Sequence, residues 1–201
     1  MLLVSFPAQM TSWPVAGQLT SYLDAETGAT PLSVMKWAIK SGDASVLQQL
    51  PDSWHLLIGH TVEGAGTIGE VCALALLLGL AFMLWRGIIT WHTPVSILAT
   101  VFVLSGLLHL ANPAYASPLA VLFSGGLMLG AIFMATDYVT SPMCGRGQLV
   151  YGVGIGVLTV VIRNWGAYPE GMSFAILIMN AFTPLINTYV KPTRFGEVVK
   201  K

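Results

Sequence analysis

The chain has 201 residues, of which 55% are hydrophobic and 9% charged, and its nine basic and nine acidic side chains give a formal net charge of zero. With a mean hydropathy of +0.73, it has too few polar side chains to cover a soluble globule, so a soluble domain is excluded and a membrane protein is indicated. Nucleic acid is not among the partners expected of such a composition.

Met1 to Phe6 is apolar, carries no basic flank and is cut off by Pro7 before a signal-peptide core or a span is complete. It reads as the tail of a preceding helix, which makes the chain the C-terminal part of a longer protein, or else as a short interfacial segment. Thr11 to Gly66 holds Asp24, Glu26, Asp43, Asp52 and Glu63 among Gly and Ser, and forms an extramembrane segment. It is too short for a core of its own and is expected to pack on the membrane part.

Within that segment the spacing predicts helices at Pro31 to Lys40 and Asp43 to Leu50. Pro31 suits the first helical position and Thr30 the N-cap, with apolar residues following at Leu32, Val34, Met35, Trp37 and Ile39. The open amides and dipole at such a helix mouth favour an anion, and Lys36 and Lys40 add positive charge one and two turns on. Taken alone, the pattern favours the plainer reading that Thr30 only caps a helix, and the lysine spacing fits a solvated face equally well.

Five apolar stretches follow, near Thr67 to Trp85, Pro94 to Asn112, Pro118 to Thr136, Gln148 to Arg163 and Gly171 to Val190. The third is interrupted by Ser124-Gly125-Gly126 and the fourth is short and rich in Gly, so either is open to being tilted, broken or re-entrant. Gly152, Gly154 and Gly156 lack the strand and the later glycine of a dinucleotide fingerprint, and are read as close helix packing, as are Gly126 and Gly130. The expected fold is an all-α membrane protein of about five transmembrane or re-entrant helices. Residues 1–66 form the extramembrane part, 67–190 the membrane domain and 191–201 a C-terminal tail.

Orientation follows from basic residues. A cytoplasmic C-terminus puts Lys191, Arg194, Lys200, Lys201, Arg86 and Arg146 inside, six of the nine, and leaves Lys36, Lys40 and Arg163 outside. Thr30 then faces the periplasm or cell exterior, as do the connections at Asn112 to Ser117 and Trp165 to Glu170.

Ionisable groups at the bilayer are costly. Glu70 begins the first span and Asp137 ends the third, and each fits either a cofactor or cation pathway or an interfacial anchor. Arg163 and His109 are read first as structural. The four histidines have no metal-ligand spacing, and Cys72 and Cys144, far apart and without a CxxC, are read as ordinary thiols rather than iron–sulfur ligands. No catalytic triad and no metal site is indicated.

Thr27-Gly28-Ala29-Thr30, with Asp24 upstream, matches an element of a known family. Gly66-Thr67-Ile68-Gly69-Glu70, Met134 to Pro142 and Ile162 to Gly171 with Phe174-Ala175 match further segments in order. The sequence resembles the D subunit of the Rnf ion-translocating electron-transport complex, called Rsx in some bacteria and related to the B subunit (NqrB) of the sodium-pumping NADH:quinone reductase. The resemblance implies half of an inverted-repeat fold like that of urea transporters, the family's N-terminal half being absent.

The resemblance further implies FMN joined through its phosphate to Thr30, with Asp24, Thr27, Gly28 and Ala29 around it. It implies a second, noncovalent flavin, riboflavin, to which Thr136 and Asp137 are the candidate contributors. It implies the other Rnf subunits as partners, above all the FMN-bearing G subunit, and a flavin transferase that attaches FMN outside the cytoplasm. The implied location is the bacterial inner membrane.

A flavin brings its own redox chemistry, and the protein fixes its distance and tunes its potential. The expected function is thus electron relay within a complex coupling ferredoxin and NAD redox chemistry to sodium or proton movement, the chain alone completing no reaction. A permease or channel without redox activity, or an assembly subunit, are the readings of other classes, since Gly-interrupted spans and buried acids also mark transporters.

Overall fold

The computed structural model describes residues 13–14, 27–28, 30–59 and 72–190. Apart from a two-residue antiparallel pairing of β1 (Trp13–Pro14) with β2 (Thr27–Gly28), the described structure is helical. Helix α1 (Pro31–Ser41) starts at Thr30 and stops at Gly42, whose φ of 71° is the left-handed C-cap that glycine adopts without penalty. A 3-10 turn (Ala44–Gln49) replaces the second predicted helix, and a short α2 (Ser53–Ile58) follows. Met35 of α1 and Leu56 of α2 are buried against Ala116 and Ala120, so these two helices share a core with the later part of the chain.

The helices that follow are α3 (Ala73–Trp85), α4 (His92–Ala111), α5 (Pro118–Phe123), α6 (Leu127–Leu129), α7 (Gly145–Trp165) and α8 (Met172–Tyr189). Three of these, α4, α7 and α8, are long and apolar enough to cross a membrane. Helix α3 has 13 residues, about 20 Å at 1.5 Å per residue; positions 67–71 of the span predicted there lie outside the described residues.

The third predicted span is broken where its sequence is interrupted: α5 stops at Ser124, Gly125 turns at a φ of 68°, and α6 starts after Gly126. Helix α6 runs on as a π segment, Gly130–Met134, in which Ala135 N–H reaches back five residues to Gly130 O. The glycine-rich fourth span, by contrast, is continuous and the longest described helix at 21 residues. Its glycines pack against neighbouring elements, Gly152 and Gly156 against α4 and Gly154 against Met179 of α8. A Cβ on Gly152 would collide with Ser96 Oγ, and one on Gly156 would sit 2.7 Å from Thr100 Cβ. These registers make α4 and α7 parallel, with the chain returning through α5, α6 and the π segment in the sequence that joins them.

Ile97, Val101, Leu127, Tyr151, Ile155 and Met172 form the centre of the core. Three buried hydroxyls are satisfied within their own helices: Ser96 Oγ donates to Thr93 O at 2.9 Å, Ser105 Oγ to Val101 O at 2.6 Å and Thr159 Oγ1 to Ile155 O at 2.8 Å. A hydrocarbon surrounding demands such internal pairing.

Candidate functional site

Thr30 is the N-cap of α1, half-buried, with φ −66° and ψ 147°. Its Oγ1 accepts from Ser33 N–H at 3.3 Å, and its carbonyl accepts from Ser33 Oγ at 2.6 Å. Pro31 follows at the first helical position and no acidic residue lies in the first turn, so no carboxylate of that turn neutralises the positive end of the helix dipole. Thr27 and Gly28 form β2, Gly28 opposite Trp13 and Thr27 opposite Pro14. Asp24, Ala29 and Glu70 lie outside the described residues.

From this mouth α1 lies over the membrane helices with one face turned down. Leu32, Met35, Lys36 and Ile39, spaced one turn apart, roof an open cleft whose floor is Ser105 and Leu108 of α4 with Val160, Arg163 and Asn164 of α7. Of the two lysines suggested by the sequence, Lys36 joins the cleft and Lys40 is exposed. Lys36 Nζ donates to Tyr168 O at 2.7 Å, and burial, with a smaller contribution from the charge of Lys40, holds its ammonium pKa below the ordinary 10.5.

At the cleft floor Arg163 is only 6% exposed. Its Nη1 donates to Val121 O at 2.9 Å and its Nη2 to Ser124 O at 3.1 Å, so the guanidinium closes the carbonyl end of α5. Nη2 also meets Glu170 Oε1 at 3.1 Å. The same carboxylate accepts from Met172 N–H at 3.3 Å and, through Oε2, from Gly126 N–H at 3.1 Å, so it serves the starting amides of both α8 and α6. Arg163 Nε and Ser124 Oγ are buried with no partner among the described residues.

The arrangement is a largely apolar slot with two cations and a free buried N–H donor. It suits a flat amphipathic molecule with an anionic or carbonyl-bearing edge. Sequence reasoning places Arg163 and Glu170 on one side of the membrane but misses their joint hold on the helix break. The available signal is their seven-residue separation across the Trp165 to Glu170 connection, together with a Ser-Gly-Gly interruption whose exposed helix ends require capping.

Thr136 and Asp137 are not near Thr30. They precede α7, whereas the cleft lies at its C-terminal end, and 21 helical residues separate the two levels by about 30 Å. Thr136 Oγ1 donates to Ile132 O at 2.7 Å. Asp137, exposed, accepts from Thr140 N–H at 3.3 Å and Thr140 Oγ1 at 3.0 Å. His109, read as structural, has Nδ1 2.7 Å from Tyr115 O and braces the connection after α4. Among the described residues no three His, Cys, Asp or Glu side chains come together as a metal site.

A sequence model of the NQR2, RnfD, RnfE family matches residues 1–196. The chain is 41% identical to the D subunit of the ion-translocating oxidoreductase complex of Pseudomonas paraeruginosa, over 97% of the chain and 59% of that protein. It is 40% identical to the D subunit of the Na(+)-translocating ferredoxin:NAD(+) oxidoreductase complex of Acetobacterium woodii, over 97% of the chain and 56% of that protein. The corresponding D subunit of Sodalis glossinidius is 37% identical over 98% of the chain and 62% of its own length. The chain therefore spans about three fifths of the length of the curated relatives it matches.

Proposed function

The chain belongs to the NQR2, RnfD, RnfE family, and on that premise we propose that it is a membrane subunit of an ion-translocating oxidoreductase complex, carrying FMN as a phosphoester on Thr30. The observation that carries this reading is the placement of Thr30. Its hydroxyl stands at the N-terminus of α1, whose first turn carries no acidic residue, and the helix it starts roofs a cleft bearing Lys36 and Arg163.

The residues present suit each part of the group. A phosphate on Oγ1 would face the positive end of the α1 dipole, and the ribityl chain would let the ring enter the slot beneath Leu32. Within it, apolar walls would exclude water from the ring faces, while Arg163 Nε would donate to its polar edge. When bound, the flavin supplies the electron chemistry, and these residues position it and set its electrostatic surroundings.

In this reading the relay serves ferredoxin and NAD chemistry, as the name of the Acetobacterium relative indicates for that protein, and drives sodium or proton movement. Its partners are the other subunits of the complex, the FMN-bearing G subunit first among them, with a flavin transferase for maturation. Thr30 lies on the periplasmic side of the inner membrane. Thr136 and Asp137, at the far end of α7, belong to the separate riboflavin pocket, and Glu70 to the ion path.

Peptide mass mapping of the Ser21 to Lys40 region from protein purified from native membranes tests the central claim. The expected result is an FMN adduct on Thr30, with denaturation-resistant flavin fluorescence that disappears in Thr30→Ala. An unmodified Thr30 in that preparation removes the redox reading.

A further inference from the structure

We infer that Arg163 transmits the charge of the cleft's occupant to the break in the membrane helix, so that reduction of the flavin loosens the turn at Ser124-Gly125-Gly126. The inference rests on the proposal that the ring of the Thr30-bound flavin occupies the cleft.

One guanidinium serves both places. Arg163 lines the cleft, and its Nε is without a partner among the described residues. Its Nη1 and Nη2 hold Val121 O and Ser124 O, and Nη2 holds Glu170, which in turn holds Gly126 N–H. The break also touches the cleft roof directly, since a Cβ at Gly125 would strike both Leu32 Cδ1 and Glu170 Oε2. Lys36 reaches the same connection through Tyr168 O.

Addition of two electrons, from a neighbouring carrier of the complex, and one proton, from solvent, leaves one negative charge on an initially neutral flavin ring. In this largely apolar slot that charge competes with Glu170 and the two carbonyls for Arg163. As the guanidinium turns toward the ring, its bonds to Ser124 O and Glu170 weaken, and the capped ends of α5 and α6 lose a shared partner. The coupling is reciprocal: whatever holds Arg163 at the break disfavours the reduced ring.

The test is hydrogen exchange by mass spectrometry on the intact complex, as isolated and after anoxic dithionite reduction, following peptides over residues 121–130. Flavin midpoint potentials are measured by spectroelectrochemistry in the same samples, and occupancy of Thr30 is established first by mass. The expected result is faster exchange at Ser124 to Gly126 on reduction in the unaltered protein. In Arg163→Lys, which keeps the charge but loses the planar fork, that difference should shrink at least several-fold.

Glu170→Gln should raise the flavin midpoint and Arg163→Gln lower it. Absence of flavin on Thr30 would defeat the earlier reading and this one with it. Full flavin occupancy with exchange at the break identical in the two redox states would overturn this inference alone, and needs no variant to assemble.

Discussion

Lys36 Nζ donates to the backbone carbonyl of Tyr168 across 2.7 Å, tying the helix that begins at Thr30 to the connection between α7 and α8. The bond joins positions 132 residues apart. The connection it reaches also contains Glu170, whose carboxylate holds Arg163 and the amides of Gly126 and Met172. The extramembrane helix is thereby fastened to the break in the membrane helix as well as packed over it.

Substitutions at Thr30 separate capping from covalent attachment. Thr30→Ala removes both the Oγ1 that accepts from Ser33 N–H and the hydroxyl that would be esterified, and should cost about 1 kcal/mol of helix stability along with the covalently bound flavin. Thr30→Asn keeps a good cap without an esterifiable hydroxyl. It should therefore retain the thermal stability of the flavin-free protein while showing no covalent fluorescence in denaturing gels, whereas a fluorescent Asn variant would place the attachment elsewhere.

The depressed pKa of Lys36 has a definite sign in stability. Its folded value lies below 10.5, so between that value and 10.5 the unfolded chain binds more protons and the contribution of Lys36 to stability rises with pH. Below the folded value the charged amine carries its full desolvation penalty in the folded state. An Nζ-resolved NMR titration should give a midpoint below 10.5, and Lys36→Met should flatten the rise in melting temperature on the alkaline side. A midpoint at or above 10.5 would contradict the burial assigned to this ammonium.

How much of the structure is legible in the sequence differs from element to element. The helix over Pro31 to Lys40, its Thr30 cap and the interruption at Ser124-Gly125-Gly126 are visible there, because a cap, a proline and a pair of glycines act through the local backbone. Gly152 and Gly156 are packing positions in sequence and structure alike, but the helix carrying them is longer than its apolar stretch predicts. Its glycines pack against α4 and α8, contacts that periodicity along one segment does not report. The second predicted helix is a 3-10 turn for a similar reason, since its residues follow the surface they cover. The Arg163 and Glu170 bridge is invisible as a pair because it is assembled by the return of the chain through α5 and α6, which join α4 to α7 in the sequence.

The parallel contact of α4 and α7 gives a contrast between glycines. A methyl group at Gly152 would collide with Ser96 Oγ and come within 3.0 Å of the Thr93 carbonyl, so Gly152→Ala should destabilise by about 1–3 kcal/mol through overpacking. Gly106→Ala meets nothing nearer than Pro118 Cγ at 3.6 Å. It should be neutral or stabilising by up to about 1 kcal/mol, since alanine is the better helix former. Thermal unfolding of the two variants in detergent checks the difference, and equal melting temperatures would mean that α4 and α7 do not approach as closely as described.

Gly125 is where cleft, break and ion pair meet, and its substitution has two costs. Its φ of 68° lies in the left-handed region, where an L side chain costs about 1–2 kcal/mol. Its Cβ would also press on Leu32 Cδ1 and Glu170 Oε2, displacing the roof of the cleft and the acceptor that holds Gly126 N–H. Gly125→Ala should therefore lower the melting temperature and open the contact between α1 and the membrane part, seen as faster hydrogen exchange in both residues 31–41 and 124–126. Gly42, at a φ of 71° with nothing within 4 Å of its Cβ position, supplies the comparison. Gly42→Ala bears the backbone cost alone and should leave exchange at 124–126 unchanged, so a matching response there would show that backbone strain, and not the crowding of Leu32 and Glu170, accounts for the effect at Gly125.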